Sequence, residues 1–510
     1  MDKNNNNTGN DLHYLFFAIF LVGGGWWLKN GAAVEYWLYS HFWQLAFLGF
    51  CLLWGMGYLL IKRWEKNNPR KVQRKKLLHM AEYLREAENA IPVAYTLKDR
   101  KAIYLSPELR TGHVQILGAT GRGKTASVIV PWFLRDMRNN SVPVLIDGKG
   151  DTALVNDISP KAALLQKDIW IFNPASPEIS CRINPLEGGA PNEIAERLFA
   201  ALEFESSYYR EVQYTAVLTI LEAFKCLGQV PTLKALYEAL INPQSILEAL
   251  GQSNVVPVHQ NRELARICQM KPEERQEKFS GIISQLRPFA GGNFERIVNS
   301  TGNHFEHLNL DEVMNPAKAA KNGIHGVIIL LPTMQYQKSA KVLGKLILQY
   351  FAWSTAKRER EQAVTPIFID EFSAFVYEGF EQFLNKARSK GVALHLSHQS
   401  MGDLEAVSPS FAKTVNVNTN IKVLLGLNDP DTADYFARHL GTFTTTKSTE
   451  RATRAAWGQA NKTGDMSMRD VEEYKIHPNR LKAFSNGQGV LSLLIHGEQF
   501  AEEVQFVREV

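Results

Sequence analysis

The chain has 510 residues, of which 45% are apolar and 21% charged, a globular composition at a length that predicts two or three domains. Residues 1–76 carry 10 of the 57 basic and 4 of the 52 acidic side chains, which leaves 47 and 48 for the remainder, so net charge does not indicate a nucleic-acid binder. The four cysteines lie far apart without a C-x-x-C pair, which argues against structural zinc.

Two apolar runs near the start predict a membrane anchor. Leu12 to Leu28 and Phe42 to Ile61 contain no Asp, Glu, Lys or Arg and have about 17 and 20 residues, which are lengths that span a bilayer. The basic residues between Lys62 and Lys76 place that flank in the cytoplasm by the positive-inside rule, although they could also contact DNA or anionic lipid. The sequence therefore predicts a two-span anchor in residues 1–76 with both termini cytoplasmic.

The stretch from Gly118 to Thr125 matches the phosphate-loop pattern G-x-x-x-x-G-K-[ST] at every fixed position. An apolar strand, His113 to Leu117, precedes it, and Ala126 to Val130 begins a helix whose N-terminus would face the anion. These flanks favour a nucleoside triphosphate site over a glycine-rich turn without function. The residues predicted to bind the nucleotide are Gly118, Thr120, Gly121, Arg122, Gly123, Lys124, Thr125 and Ala126, with the Thr125 hydroxyl also a ligand of Mg²⁺.

Further along the chain, strand and helix patterns alternate around one long helical stretch. A buried strand, Val142 to Asp147, ends in the sequence Asp147-Gly148-Lys149-Gly150-Asp151, and Ile169 to Phe172 is a third strand. From Asn192 to about Asn309 apolar residues recur at helical spacing, after which Gly326 to Pro332 is again a strand and a helix extends from about Ser339 to Arg358. We expect an α/β domain formed by 77–185 and 326–510, interrupted by an all-α domain over 186–325.

A second chemical signal follows the strand Pro366 to Ile369. Asp370 could orient Mg²⁺ and Glu371 could polarise the attacking water, which are the two carboxylate functions that nucleotide hydrolysis requires. Alone, the Asp-Glu pair could equally be an ordinary acidic turn. The strand Val392 to Leu396 then leads to Gln399, whose amide could sense the γ-phosphate or could be a simple surface side chain.

These residues together resemble the type IV coupling proteins, the inner-membrane ATPases of conjugative DNA transfer and type IV secretion. The resemblance covers nearly the whole chain and includes both apolar runs, the phosphate loop, the helical insertion and Asp370-Glu371. Its other elements are Pro131 in the helix after the phosphate loop, Asp147 to Asp151, Asn184-Pro185-Leu186, Ala387 to Gly391, Asn420-Ile421-Lys422, and closing strands near Val490 to Ile495 and Val504 to Val507.

The resemblance implies a RecA-like P-loop NTPase that uses ATP and Mg²⁺, assembles as a hexameric ring, and passes single-stranded DNA through its centre. Its partners would be a relaxase or other relaxosome proteins, components of the secretion channel, and membrane lipids. The family uses an arginine near the subunit interface that matches Arg388, although a solvated helix cation is the alternative reading. A double-stranded DNA pump related to FtsK and HerA, or a receptor ATPase for protein substrates, are the alternative functions.

The chain departs from the family pattern in two places. Arg122 occupies a variable position of the phosphate loop where a small residue would intrude less, and it could supply an extra cation near the phosphates. The sequence also ends soon after its last predicted strand, so we do not expect partner recruitment through a long acidic or helical tail.

Overall fold

The computed structural model describes residues 39–67, 75, 85, 87, 89–253, 258–302, 306–359, 362–377, 379–454, 460–495 and 497–508. By their contacts these belong to two compact units. The first comprises Met1–Val72 with Thr445–Asp470, and the second comprises Gln73–Thr444 with Val471–Val510.

The first unit contains the helix Phe42–Asn67, which extends the second predicted apolar run by six residues. Its segment Phe42–Glu65 has a mean hydropathy of 1.8 and is long enough to cross a bilayer by length and composition. The first predicted run, Leu12 to Leu28, lies outside the described residues. A single candidate span is therefore what the described part of the chain contains, and the two-span anchor stays a prediction.

The second unit is built on an 11-stranded mixed sheet with the order β2-β1-β13-β12-β9-β3-β8-β7-β4-β6-β5. Seven neighbouring strands, from β9 to β5, are parallel, and the other four extend the sheet as antiparallel strands. The parallel strands are β3 Val114–Leu117, β4 Val144–Asp147, β5 Ile169–Phe172, β6 Gly326–Leu330, β7 Thr365–Asp370, β8 Val392–His398 and β9 Ile421–Leu425. The antiparallel strands are β1 Ile91–Thr96, β2 Ala102–Leu105, β12 Gln488–Ile495 and β13 Glu498–Phe506.

Side chains of the parallel strands alternate between two apolar cores, as a sheet covered on both faces requires. Ile367 and Ile369 of β7 belong to one core, and Phe368 between them belongs to the other. The second core is closed by the helices Val130–Arg138 and Thr152–Leu164. The first core is closed by the helix Gln337–Lys357, which matches the predicted helix within two residues at each end.

The predicted helical stretch is helical, and its apolar side chains join the first core without a break. The Thr232 hydroxyl caps one of these helices by accepting from Ala235 N at 3.1 Å, and Pro272 is the first residue of another. The boundaries proposed for a separate all-α domain, 186–325, stay a prediction. The helices are Pro191–Ala201, Ser207–Cys226, Leu233–Ile241, Pro243–Gln252, Val258–Gln269, Pro272–Leu286, Gly292–Val298, Leu310–Val313 and Pro316–Lys321.

The remaining described elements are a separate pair of strands and several helices. A two-stranded ribbon, β10 Thr442–Arg454 and β11 Ala460–Tyr474, pairs only with itself among the described strands, and the sequence patterns did not predict it. β10 is rich in Thr and β11 in charged residues, and both contain few apolar residues, so they lack the alternating pattern on which a strand prediction depends. The other helices are Pro107–Arg110, Phe380–Ala387, Met401–Glu405, Pro409–Asn418, Pro430–Leu440 and Pro478–Lys482.

Candidate nucleotide site

The phosphate loop leaves the carboxyl end of β3 and coils back on itself as predicted. Gly121 and Gly123 have φ angles of +77° and +88°, a left-handed conformation that a side chain would strain. A Cβ atom on Gly123 would also lie 2.3 Å from Asn486 Oδ1. The Lys124 side chain is buried and its Nζ donates to Gly118 O at 2.6 Å, so the ammonium lies across the loop. Burial lowers the pKa of Lys124, although nearby Asp370 partly offsets that effect.

The helix after the loop begins with a wide turn. Residues Thr125–Ile129 are π-helical, with Val130 N donating to Thr125 O, and the α-helix Val130–Arg138 follows with Pro131 in its first turn. Because proline has no N–H to donate and its ring crowds the preceding turn, a regular α-helix would be strained at this point. The π turn accommodates Pro131 and sets the position of the Thr125 side chain.

Asp370 and Glu371 lie at the carboxyl end of β7, where Asp370 meets the phosphate loop. The Thr125 hydroxyl donates to Asp370 Oδ2 at 3.0 Å, and the Ser397 hydroxyl donates to Asp370 Oδ1 at 2.7 Å. Burial alone would raise the pKa of Asp370, but the charge of Lys149 and the hydrogen bonds from Ser397 and Thr125 lower it overall. Asp370 is thus held as a carboxylate next to the hydroxyl that was predicted to ligate Mg²⁺.

Glu371 adopts a strained backbone conformation that turns its side chain out of the sheet. Its φ and ψ are 55° and 43°, in the left-handed region, and its N–H donates to Asp370 Oδ1 at 3.1 Å. Such a conformation is uncommon for a residue with a side chain and is often found at functional sites. The side chain is one-third exposed, so water can reach the carboxylate.

Strand β8 lies between β3 and β7 and brings Gln399 to the phosphate loop. Thr120 Oγ1 donates to Gln399 Oε1 at 3.1 Å, while Gln399 N donates to Asp403 Oδ2 at 2.8 Å. One strand, β8, therefore separates the strand before the phosphate loop from the strand before Glu371, and these two strands lie roughly 9–10 Å apart.

Arg388 lies elsewhere. It follows the helix Phe380–Ala387, is exposed, and precedes β8, so it lies at the amino edge of the sheet. The seven residues of β8 span roughly 23 Å to the opposite edge, where the phosphate loop lies. The fold therefore separates Arg388 from the phosphate loop of its own chain, and the catalytic role of Arg388 at a neighbouring subunit's site stays a prediction.

Several neighbours of the site were not identified from the sequence. Ser397 contacts Asp370 directly, and Lys149 Nζ lies 3.2 Å from Asp370 Oδ2. Asp147, aligned with Asp370 on the adjacent strand β4, accepts from Asp151 N, and burial raises its pKa to about 6. Ser397, Lys149 and Asp147 follow the phosphate loop at very different separations along the chain. The order of the strands in the sheet brings them together.

Residues that flank the last two strands in the chain, β12 and β13, support the phosphate loop and the start of its helix. Gly487 N donates to Arg122 O at 3.2 Å, and Arg508 Nε donates to Ser127 Oγ at 3.1 Å. The Arg122 guanidinium donates to Phe484 O at 3.3 Å and to Asn428 Oδ1 at 3.4 Å. These contacts form a brace that joins the loop and the start of its helix to the segments after β9, before β12 and after β13, and direct phosphate binding by the Arg122 side chain stays a prediction.

We expect Arg122→Ala to weaken ATP and ADP binding by a similar factor, about fivefold, because two hydrogen bonds of the brace are lost. Titration of fluorescent ATP and ADP analogues measures both affinities. The matched control is Arg138→Ala, an exposed residue at the end of the helix that follows the phosphate loop. If the guanidinium instead contacted the terminal phosphate, ATP binding would weaken much more than ADP binding.

The donor set fits a nucleotide with Mg²⁺. A hydroxyl and a carboxylate oxygen are hard ligands of the kind Mg²⁺ prefers alongside phosphate oxygens, and Thr125 and Asp370 supply both. The described residues contain no cluster of three His, Cys, Asp or Glu side chains that would hold a metal without a substrate phosphate. Lys124, the loop N–H groups and the start of the helix together supply the positive potential for the phosphates.

Comparison with known sequences shows a resemblance to type IV coupling proteins. A family model described as the TraM recognition site of TraD and TraG matches residues 365–485, a range that includes Asp370, Glu371 and Gln399. The type 4 coupling protein DotL of Legionella pneumophila is 22% identical over 402 residues, which cover 68% of this chain and 51% of DotL. The resemblance to the type IV coupling proteins is confirmed. The chain nevertheless spans only about half the length of that curated coupling protein.

Solved structures of the coupling protein TrwB and of VirB4 share the fold. The conjugative coupling protein TrwBΔN70 has a TM-score of 0.57 at 14% identity, with 85% of this chain and 92% of that chain covered. TrwB in complex with ADP and Mg²⁺ has a TM-score of 0.54 at 15% identity, covering 86% and 92%. VirB4 of Thermoanaerobacter pseudethanolicus has a TM-score of 0.51 at 14% identity, covering 81% and 95%. The coupling-protein fold, a RecA-like α/β fold with a large mixed sheet, is therefore present here.

Proposed function

We propose that the chain is a Mg²⁺-dependent ATPase that serves a type IV secretion system as its coupling protein. The observation that carries the proposal is the convergence of Lys124, Thr125, Asp370, Glu371 and Gln399 at one edge of a sheet shared with coupling proteins. The TrwB structures with ADP and Mg²⁺ and with a non-hydrolysable ATP analogue support the choice of cofactors.

Each residue has one chemical function in this proposal. Lys124 and the loop N–H groups bind the β- and γ-phosphates, and Thr125 and Asp370 hold Mg²⁺, which supplies charge neutralisation at the phosphates. Glu371 accepts a proton from the attacking water, and Gln399 orients that water or the γ-phosphate. The carboxylate of Glu371 is exposed enough to meet water, while Asp370 is buried and hydrogen-bonded, which separates the two functions.

We further propose that hydrolysis drives transfer of single-stranded DNA, delivered by relaxosome proteins, through a hexameric ring at the bacterial inner membrane. The description of the matching family model as a TraM recognition site supports contact with a relaxosome protein. The apolar helix Phe42–Asn67 supports a membrane anchor, which we propose has two spans and cytoplasmic termini and contacts lipid through the basic residues after Ile61. The alternative is a receptor ATPase that captures protein substrates for secretion and uses hydrolysis to gate their transfer.

Addition of single-stranded DNA to the detergent-solubilised protein should raise its ATPase rate, and the stimulation should fall as salt increases, because backbone phosphate contacts release counterions. Phosphate release at several KCl concentrations measures this, with an equal mass of double-stranded DNA as the comparison. Stimulation by a secretion-substrate protein and not by either DNA would support the receptor alternative. Stronger stimulation by duplex DNA would support a double-stranded DNA pump.

A further inference from the structure

The loop from Asp147 to Asp151 places a second lysine against the catalytic carboxylates. Lys149 Nζ lies 3.2 Å from Asp370 Oδ2 and 3.8 Å from Glu371 Oε1. The same Asp370 oxygen accepts from the Thr125 hydroxyl at 3.0 Å. One ammonium therefore neutralises both Asp370, the proposed Mg²⁺ ligand, and Glu371, the proposed base. Its contact with Asp370 is at the oxygen that would face Mg²⁺.

The backbone of this loop is held firmly. Gly148 O accepts from both Thr333 N, at 3.2 Å, and Thr333 Oγ1, at 2.7 Å. Gly150 has a φ of +66°, and a Cβ atom there would lie 2.4 Å from Pro332 Cβ. Because strand β4 is the neighbour of β7, this fixed loop approaches the carboxylates from the side opposite the phosphate loop.

The side chain of Lys149, in contrast, is partly exposed to solvent. Its exposed fraction is 44%, and its ammonium forms ion pairs with the two carboxylates. A lysine has a long flexible stem and a compact charge, so its ammonium can exchange partners without movement of the backbone. A divalent cation and an ammonium at the same carboxylate oxygen repel one another, so binding of the first favours displacement of the second.

We propose that the Lys149 ammonium neutralises Asp370 and Glu371 before Mg²⁺ binds. When Mg²⁺ and nucleotide bind, the side chain moves and its ammonium pairs with the terminal phosphate instead. The inference rests on the proposed nucleotide site and adds to it a cation that senses occupancy. It requires that Lys149 and Mg²⁺ compete at the carboxylates, and that Lys149 favours ATP over ADP.

Lys149→Met in the full-length protein tests both requirements without measuring turnover. With MgCl₂ and no nucleotide, thermal unfolding of the variant should shift upward at roughly tenfold lower MgCl₂ than the wild type, because the competing ammonium is gone. Fluorescent analogue titrations should show that ATP binding weakens by roughly tenfold relative to ADP binding, because one contact to the terminal phosphate is lost. Lys149→Arg should keep most of the wild-type behaviour in both measurements.

Lys161→Met, on the following helix and paired with Asp157, is the matched control and should match the wild type throughout. An unchanged MgCl₂ dependence in Lys149→Met would overturn the competition, and an unchanged ratio of ATP to ADP affinity would overturn the transfer to phosphate. If Lys149→Met fails to fold, Lys149→Gln replaces it in the same measurements. Failure of the wild type itself to bind either analogue would instead contradict the proposed function.

Discussion

Replacement of Glu371 by Gln should leave Mg²⁺–ATP affinity within about twofold of the wild type and reduce ATP turnover by about a hundredfold or more. Gln has nearly the size of Glu and requires the same left-handed backbone conformation at position 371, but its amide cannot accept a proton from water. The contacts of Asp370 with Thr125 and Ser397 do not involve the Glu371 side chain, so the metal site should survive. Single-turnover and steady-state phosphate release, with analogue binding in parallel, separate the two effects.

The matched control for this experiment is Glu381→Gln, on the next helix, which should turn over ATP normally. Near-normal turnover in Glu371→Gln would contradict its assignment as the water-activating residue. Asp403, which accepts from Gln399 N, would then be the next carboxylate to replace.

Lys124→Ala should weaken nucleotide binding by at least about thirtyfold, since it removes a largely desolvated charge partner of the phosphates. Arg388→Ala should retain binding and lose turnover if, as the family resemblance implies, its guanidinium stabilises charge on the phosphoryl oxygens at a neighbouring subunit's site. Because Arg388 lies far from the phosphate loop of its own chain, nucleotide binding and turnover can depend on residues of two different subunits.

Mixing the two inactive variants tests the division directly. An Arg388→Ala subunit keeps an intact phosphate loop and can receive Arg388 from a neighbouring Lys124→Ala subunit. With random assembly at equal amounts, about one quarter of the interfaces in a ring are of this productive kind, so turnover should recover to about that fraction. Lys386→Ala, an exposed neighbour, is the control. No recovery at any ratio, in mixed rings shown to form, would exclude action between subunits.

The phosphate loop and Asp370 could be predicted from the sequence because their signals are local. The loop requires two glycines, Lys124 and Thr125 within eight residues, and the strand before Asp370 is a short apolar run. The role of Lys149 could not be predicted in this way, although its loop was noted. Its contact with Asp370 depends on β4 lying next to β7, and residues 147 and 370 are aligned only by the order of strands in the sheet.

Arg122 and the polar ribbon illustrate two other limits of sequence patterns. The sequence predicted Arg122 as a possible extra cation for the phosphates, which stays a prediction, but it did not indicate that the guanidinium donates to Phe484 O and Asn428 Oδ1, more than 300 positions away along the chain. The sequences of β10 and β11 lack an alternating apolar pattern, and β13 begins earlier than its predicted part, Val504 to Val507. Polar strands form through pairing, which a one-dimensional pattern does not record.

The brace between Ser127 and Arg508 joins positions 381 residues apart, and β13, which lies close to it in the chain, pairs with β1. During synthesis the phosphate loop therefore leaves the ribosome long before the residues that hold it in place. At translation rates of about 5–20 residues per second, the loop waits roughly 20–80 seconds for that contact. A nascent chain should consequently acquire its full nucleotide affinity late, after Arg508 has been synthesised.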